Sequence, residues 1–231
     1  MKKCLIIVPI YNESISLPRL IDQLNSIKNN ITDIILEFLF IDDGSVDNSK
    51  DIIENSGLNY ITLSNNLGIG GAMQCGFKFA ARNGFDYTIQ LDGDGQHPPQ
   101  ELGKLLLSAD QYEEDLIIGS RFIGDIVYKP SIARRIGMIY SSWLLKFITG
   151  KKIYDTTSGY RLIKYNLIHF FSHEYPQHES GLISLLMAAK SGFRFRDIPI
   201  QMNQRQAGKS SISMNRALSY PFATITNSIP S

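Results

Sequence analysis

The chain has 231 residues, 43% hydrophobic and 19% charged, and its 23 basic and 22 acidic side chains leave a net charge of +1. A chain of this length is expected to form one domain, or one domain with an appendage, and to bury enough apolar surface to need no disulfide or metal staple. The composition argues against disorder, and the charge balance against a general nucleic-acid binder, which carries a strong basic excess. Cys4 and Cys75 have neither the number nor the spacing of a disulfide framework or zinc site, so a reducing, cytoplasmic setting is expected.

In chain order, Met1-Lys2-Lys3 leads into a short apolar run. The run is short for a signal peptide and has no small-residue cleavage site, so it is predicted as a strand. Strands are predicted over 3–9, 35–41, 59–63, 87–91 and 116–119, and helices over 17–27, 49–55, 71–82 and 99–109. This alternation implies an α/β fold with a mostly parallel sheet flanked by helices. Beyond residue 125, Lys129, Arg134 and Arg135 precede an apolar stretch over 136–148, and Lys151 and Lys152 follow it. The stretch falls short of the roughly 20 apolar residues of a membrane span. Trp143, Leu144, Leu145 and Phe147 between basic flanks suit a helix on a membrane surface, and suit equally a core helix with snorkelling lysines. A helix is expected around 181–191, a strand around 193–200 and a polar loop over 203–211.

Polar residues gather where the strands end. Tyr11-Asn12-Glu13 follows the first strand, Asp42-Asp43-Gly44-Ser45 the second, Asn65-Asn66 the third, Asp92-Gly93-Asp94 the fourth and Ser120-Arg121 the fifth. In a parallel sheet these positions share one edge, and ligands of open α/β folds bind beyond it. Asp92 and Asp94 offer oxygen ligands to a hard cation, Mg²⁺ or Mn²⁺, that would also hold substrate phosphates, although an Asp-x-Asp pair also forms turns and caps. His97 fits a ligand, a substrate contact or a loop hydrogen-bonder. Asp42 and Asp43 suit a base N–H or ribose hydroxyl, or the capping of a helix. Gly68-Ile69-Gly70-Gly71-Ala72 fails the dinucleotide spacing because Met73 occupies the last glycine position, and fits a tightly packed helix entry beside a nucleotide. Arg121, Arg134, Arg135, Arg205 and Lys209 are candidates to offset a diphosphate. The polar run from Asp155 to Arg161, including Ser158, could line a sugar or acceptor pocket.

Together these residues resemble the inverting glycosyltransferase family 2 with the GT-A fold, and most closely its dolichyl- or polyprenyl-phosphate sugar transferase branch. The likeness runs through Val8-Pro9-Ile10-Tyr11-Asn12-Glu13, Asp42-Asp43-Gly44-Ser45, Asn66-Leu67-Gly68, Asp92-Gly93-Asp94-Gly95-Gln96-His97-Pro98, Gly119-Ser120-Arg121, Thr157-Ser158-Gly159-Tyr160-Arg161 and the loop 205–211. It implies a GT-A domain over 1–211, with a nucleotide-sugar half over 1–125, an acceptor- and membrane-facing half over 126–211, and a tail over 212–231. It implies nucleotide contacts from Pro9, Tyr11, Glu13, Asp42, Asp43, Gly68 and Asp92, and a metal held by Asp92, Asp94 and Gln96. Phosphates would meet Arg121, Arg134, Arg205 and Lys209; sugar or acceptor would meet Ser158, Arg161 and Glu179; and Asp94, Arg121 and Glu179 would be catalytic. The implied donor is a UDP- or GDP-sugar, and the acceptor a polyprenyl phosphate at the cytoplasmic membrane face. A homo-oligomer or a membrane-protein partner is compatible with this. Many members continue into transmembrane helices, whereas this chain stops at Ser231, as a short peripheral form or one cut before them. The alternatives are the same chemistry on a sugar hydroxyl, a nucleotidyltransferase, and a silent nucleotide-sugar-binding module.

Overall fold

Apolar, β-branched runs build a seven-stranded sheet. In the computed structural model of the protein the described residues are 1–28, 30–123, 132–150, 152–177 and 180–202. The strands are β1 (Lys3–Ile10), β2 (Ile35–Asp42), β3 (Asn59–Thr62), β4 (Tyr87–Gln90), β5 (Leu116–Ser120), β6 (Arg161–Lys164) and β7 (Phe195–Pro199). The helices are α1 (Leu17–Lys28), α2 (Ser49–Glu54), α3 (Gly68–Arg82), α4 (Leu102–Gln111, entered through a 3₁₀ turn), α5 (Ile132–Thr149), α6 (Tyr165–His173) and α7 (Ser180–Lys190). The predicted elements are recovered to within a few residues. Only β6 and α6 were not foreseen, and the loop and tail expected beyond residue 202 lie outside the described residues.

The sheet order is β3-β2-β1-β4-β6-β5-β7. β1 pairs in parallel with β2 and β4, β2 with β3, and β5 with β7, while β6 is antiparallel to both β4 and β5. Two antiparallel steps restore the direction, so β5 and β7 run with β1 and β4. Six strands therefore end at one edge, and β6 begins there.

Side chains alternate across the sheet with period two. Ile6 and Val8 of β1 join a core with Leu17, Leu20 and Leu24 of α1 and Leu102 and Leu105 of α4. Leu5 and Ile7 join the opposite core with Met73 and Phe77 of α3, Phe171 of α6 and Leu185 of α7. A strand buried on both faces reads as a continuous apolar run, as β1 does. Burying each such side chain contributes about 1.5–3 kcal/mol. These central strands hold their polar ends in fixed places.

Candidate active site

The loops after β1 and β2 are laced together. Asn12 N–H donates to Ser45 Oγ at 3.0 Å, and Val46 N–H donates to Asn12 Oδ1 at 2.9 Å. Asn12 adopts a left-handed φ of 56°, which asparagine tolerates better than most residues. Glu13 N–H donates to Ser49 Oγ at 2.8 Å, and Ser16 Oγ reaches Gly93 O at 2.7 Å, joining this corner to the β4 loop. Tyr11 is about half exposed above it, and Pro9 is buried inside β1, paired with Ile41.

Asp42 and Asp43 are both buried, but their surroundings differ. Asp43 Oδ1 accepts Leu67 N–H at 2.7 Å and Oδ2 accepts Gly68 N–H at 2.8 Å, so this carboxylate ties β2 to the start of α3. Burial pushes its pKa up, the neighbouring Asp42 adds to this, and the two N–H bonds oppose it. Each Asp43 oxygen accepts one backbone N–H, so the side chain straps β2 to α3 and keeps a lone pair on each oxygen. Asp42 is 1% exposed; its Oδ1 accepts Ser45 N–H at 3.0 Å, while its Oδ2 has no hydrogen-bond partner. A buried carboxylate oxygen without a donor is costly unless a ligand supplies one.

The β4 loop carries the Asp92–Asp94 pair. Gln90 Nε2 donates to Asp92 Oδ1 at 2.9 Å, and Asp92 N–H donates to His97 Nδ1 at 3.0 Å. With Nδ1 accepting, the proton of a neutral ring lies on Nε2, which faces Asp92 Oδ2 at 3.6 Å. His97 is 3% exposed and stacks on Tyr160 with centroids 4.8 Å apart, so in this structure it bonds within the loop. Asp94 Oδ1 accepts the backbone N–H of Gln96 at 3.0 Å. Among the described residues no three His, Cys, Asp or Glu side chains group as a metal cage. Two carboxylates and an amide oxygen, completed by water and substrate phosphates, are nevertheless the donor set Mg²⁺ prefers, so the residues fit Mg²⁺ or Mn²⁺.

The reversed strand β6 delivers residues 155–160 to the same edge. A Cβ at Gly159 would lie 2.8 Å from Gln90 Nε2 and 3.1 Å from Asp92 Oδ2, so the segment runs closely over the Gln90 and Asp92 side chains. Asp155 is fully buried and takes Arg121 Nε at 2.7 Å, Nη2 at 2.8 Å and the Arg121 N–H at 3.1 Å. Thr157 Oγ1 accepts Nη2 as well, at 2.9 Å. Burial works against the charged form of Asp155, but the Arg121 bonds and charge outweigh it and hold the carboxyl below its usual range.

Three residues expected to meet ligand make internal bonds here. Arg121 is buried and joins the end of β5 to the 155–157 segment. Arg161 is wholly internal: its guanidinium donates to Ser158 O, Thr156 O, Gly181 O and Ser184 Oγ at 2.7–3.1 Å, tying the segment to α7. Ser158 is 2% exposed and its Oγ accepts Tyr160 N–H, so it shapes the turn. Glu179, Arg205 and Lys209 lie outside the described residues, as does the side chain of Arg134. Sequence reasoning missed Gln90 as a site residue, for which a polar residue ending a strand was the only signal. It placed Asp155 in a run that could line a sugar or acceptor pocket and missed its pairing with Arg121.

A sheet of this order, with an Asp-x-Asp loop at its carboxyl edge, defines a GT-A glycosyltransferase domain. The glycosyl transferase family 2 sequence model matches residues 5–172, and the chain belongs to that family. It is 26% identical to polyprenol monophosphomannose synthase of Mycolicibacterium smegmatis, over 92% of this chain and 82% of the relative. It is 28% identical to undecaprenyl-phosphate mannosyltransferase of Micrococcus luteus, over 91% and 88%. Its fold is similar to glucosyl-3-phosphoglycerate synthase from Mycobacterium tuberculosis, solved with Mg²⁺ and UDP, at TM-score 0.69 and 15% identity, over all of this chain and 80% of that one. S. aureus TarS in complex with UDP aligns at TM-score 0.58 and 20% identity; the match covers 87% of this chain and 59% of that one.

Proposed function

We propose that this protein moves a sugar from a UDP- or GDP-sugar to a polyprenyl phosphate at the cytoplasmic face of a membrane, inverting the anomeric carbon. The observation that carries the donor side is the buried, unpartnered Oδ2 of Asp42, at the same edge as Asp92 and Asp94. It suits the ring N–H that both uracil and guanine present. The acceptor class follows the relatives named for polyprenol and undecaprenyl phosphate.

In the reaction an oxygen of the acceptor phosphate attacks the anomeric carbon, the bond to the donor β-phosphate breaks, and a nucleoside diphosphate leaves. A divalent ion held by Asp92, Asp94 and Gln96 would supply positive charge to that leaving group. Arg205, Lys209 and Arg134 are the side chains proposed to meet the diphosphate. A phosphate monoester has a second pKa of about 6, so the acceptor arrives ionised and Glu179 orients it instead of removing a proton.

α5 offers a membrane-facing surface. Leu145 is buried, while Ile139, Trp143 and Phe147, spaced four residues apart, are 62%, 63% and 80% exposed, with Tyr140 beside them. Apolar side chains along one helix stripe would enter the headgroup boundary. Among the described residues no helix is long and apolar enough to cross a membrane.

The test is a panel of UDP- and GDP-sugars with Mn²⁺, with polyprenyl phosphate or hydroxyl acceptors. Sugar-lipid and free nucleoside diphosphate support the proposal, and both should vanish in Asp94→Asn. Transfer to hydroxyls alone, pyrophosphate exchange, or binding without turnover would each replace it.

A further inference from the structure

The first turn of α3 is gripped by two distant parts of the chain. Asp43 takes the N–H groups of Leu67 and Gly68 at its start. On its flank the segment before α7 runs so close that a Cβ at Gly70 would lie 2.1 Å from Pro176 O and 2.4 Å from Gln177 O. Carbon and oxygen normally approach to about 3.3–3.6 Å, so any side chain at position 70 must push peptide 176–177 away by about 1 Å. Amide bonds fasten the same segment: Gln74 Nε2 donates to His173 O at 3.1 Å, and Gln177 Nε2 to Gln74 Oε1 at 2.9 Å. Phe77 meets Tyr175 edge to face, with centroids 5.1 Å apart.

We propose that this turn is a positioning device, in which Gly70 and Gln74 fix residues 174–177 against the helix end that Asp43 ties to the nucleotide side. It thereby sets how the acceptor meets the donor. Resting on the proposed transfer reaction, this assigns the two residues a role through their neighbours and not through contact with substrate. Residues 174–177 lead in sequence towards Glu179, the residue proposed to orient the acceptor.

The experiment compares Gly70→Ala, Gln74→Ala and, as a control, Gly103→Ala, where a Cβ meets nothing within 4 Å. Each is measured for turnover with polyprenyl phosphate, for UDP and GDP binding by calorimetry, and for hydrogen exchange over 174–177. In Gly70→Ala kcat should fall about 10²-fold, the cost typical of a misplacement of about 1 Å. In Gln74→Ala, losing one or two neutral hydrogen bonds should lower kcat about tenfold. Exchange over the segment should quicken in both, nucleotide affinity should hold, and Gly103→Ala should match the wild type. Unchanged kcat, or nucleotide affinity falling in step with kcat, overturns the proposal. Should Gly70→Ala fail to fold, Gln74→Ala decides. A wild type inert toward every polyprenyl phosphate defeats the functional reading instead. Hydrogen exchange then still judges the strap, and unchanged exchange in the variants sinks it.

Discussion

Removing the Asp155 carboxylate should strand the Arg121 guanidinium inside the protein. Asp155 is 0% and Arg121 5% exposed, and their pairing is two-pronged at 2.7 and 2.8 Å. Breaking a buried pair by deleting one partner costs about 3–5 kcal/mol, because the surviving charge has no water to replace its counter-ion. For a chain of 150–250 residues each kcal/mol shifts Tm by about 2–4 °C, so Asp155→Ala should melt roughly 6–20 °C below wild type. Asp155→Asn keeps one oxygen for Arg121 and should lose less. The Asp155 pKa lies below its unfolded value, so the pair's contribution is complete above about pH 3.9 and is lost as pH falls from there through the lower folded value. Differential scanning calorimetry from pH 3 to 8 reads both effects. An Asp155→Ala variant melting within about 2 °C of wild type at neutral pH would refute a buried, stabilising strut.

Asp197 on β7 should show the opposite sign. Burial, with the nearby Asp155 charge, raises its pKa to about 7 against the N–H bonds it accepts, and its Oδ1 has no partner. The folded state then holds a proton that the unfolded state releases, so this group lowers stability as pH rises from about 4 towards 7. Melting of Asp197→Asn relative to wild type should improve between pH 5 and pH 8, and a pH-independent difference would contradict the assignment. Asp42→Asn should weaken nucleoside diphosphate binding about 10–100-fold, the value of one charge-assisted hydrogen bond, and unaltered calorimetric affinity would remove Asp42 from the base site. Replacing Trp143 and Phe147 by serine should abolish flotation with anionic liposomes and leave Tm nearly unchanged, since both rings are already exposed; undiminished flotation would place the membrane surface elsewhere.

The layers and the polar edge were legible from the residues alone. β1, β2, β4 and β5 are apolar runs buried on the sheet, and each ends in a polar turn, so Asp42, Asp92 and Ser120-Arg121 were legible as neighbours before any pairing was known. Short-range pattern suffices there, because strand period and turn chemistry are local. Which internal partner each polar group finds depends on contacts between distant segments. β6 has four residues and runs straight into α6, so no turn marks its end, yet its reversal between β4 and β5 brings Gly159 onto Asp92 and Asp155 onto Arg121. Asp42 and Asp43 are adjacent and alike in sequence. They differ because the backbone donors of Leu67 and Gly68, more than twenty residues on, reach one and not the other. Likewise α5 carries apolar residues enough for a core helix or a membrane-facing one, and its packing against α7 leaves Trp143 and Phe147 outside. A donor and its acceptor meet only when distant segments pair, and that pairing is a property of the whole sheet, which no local stretch of residues encodes.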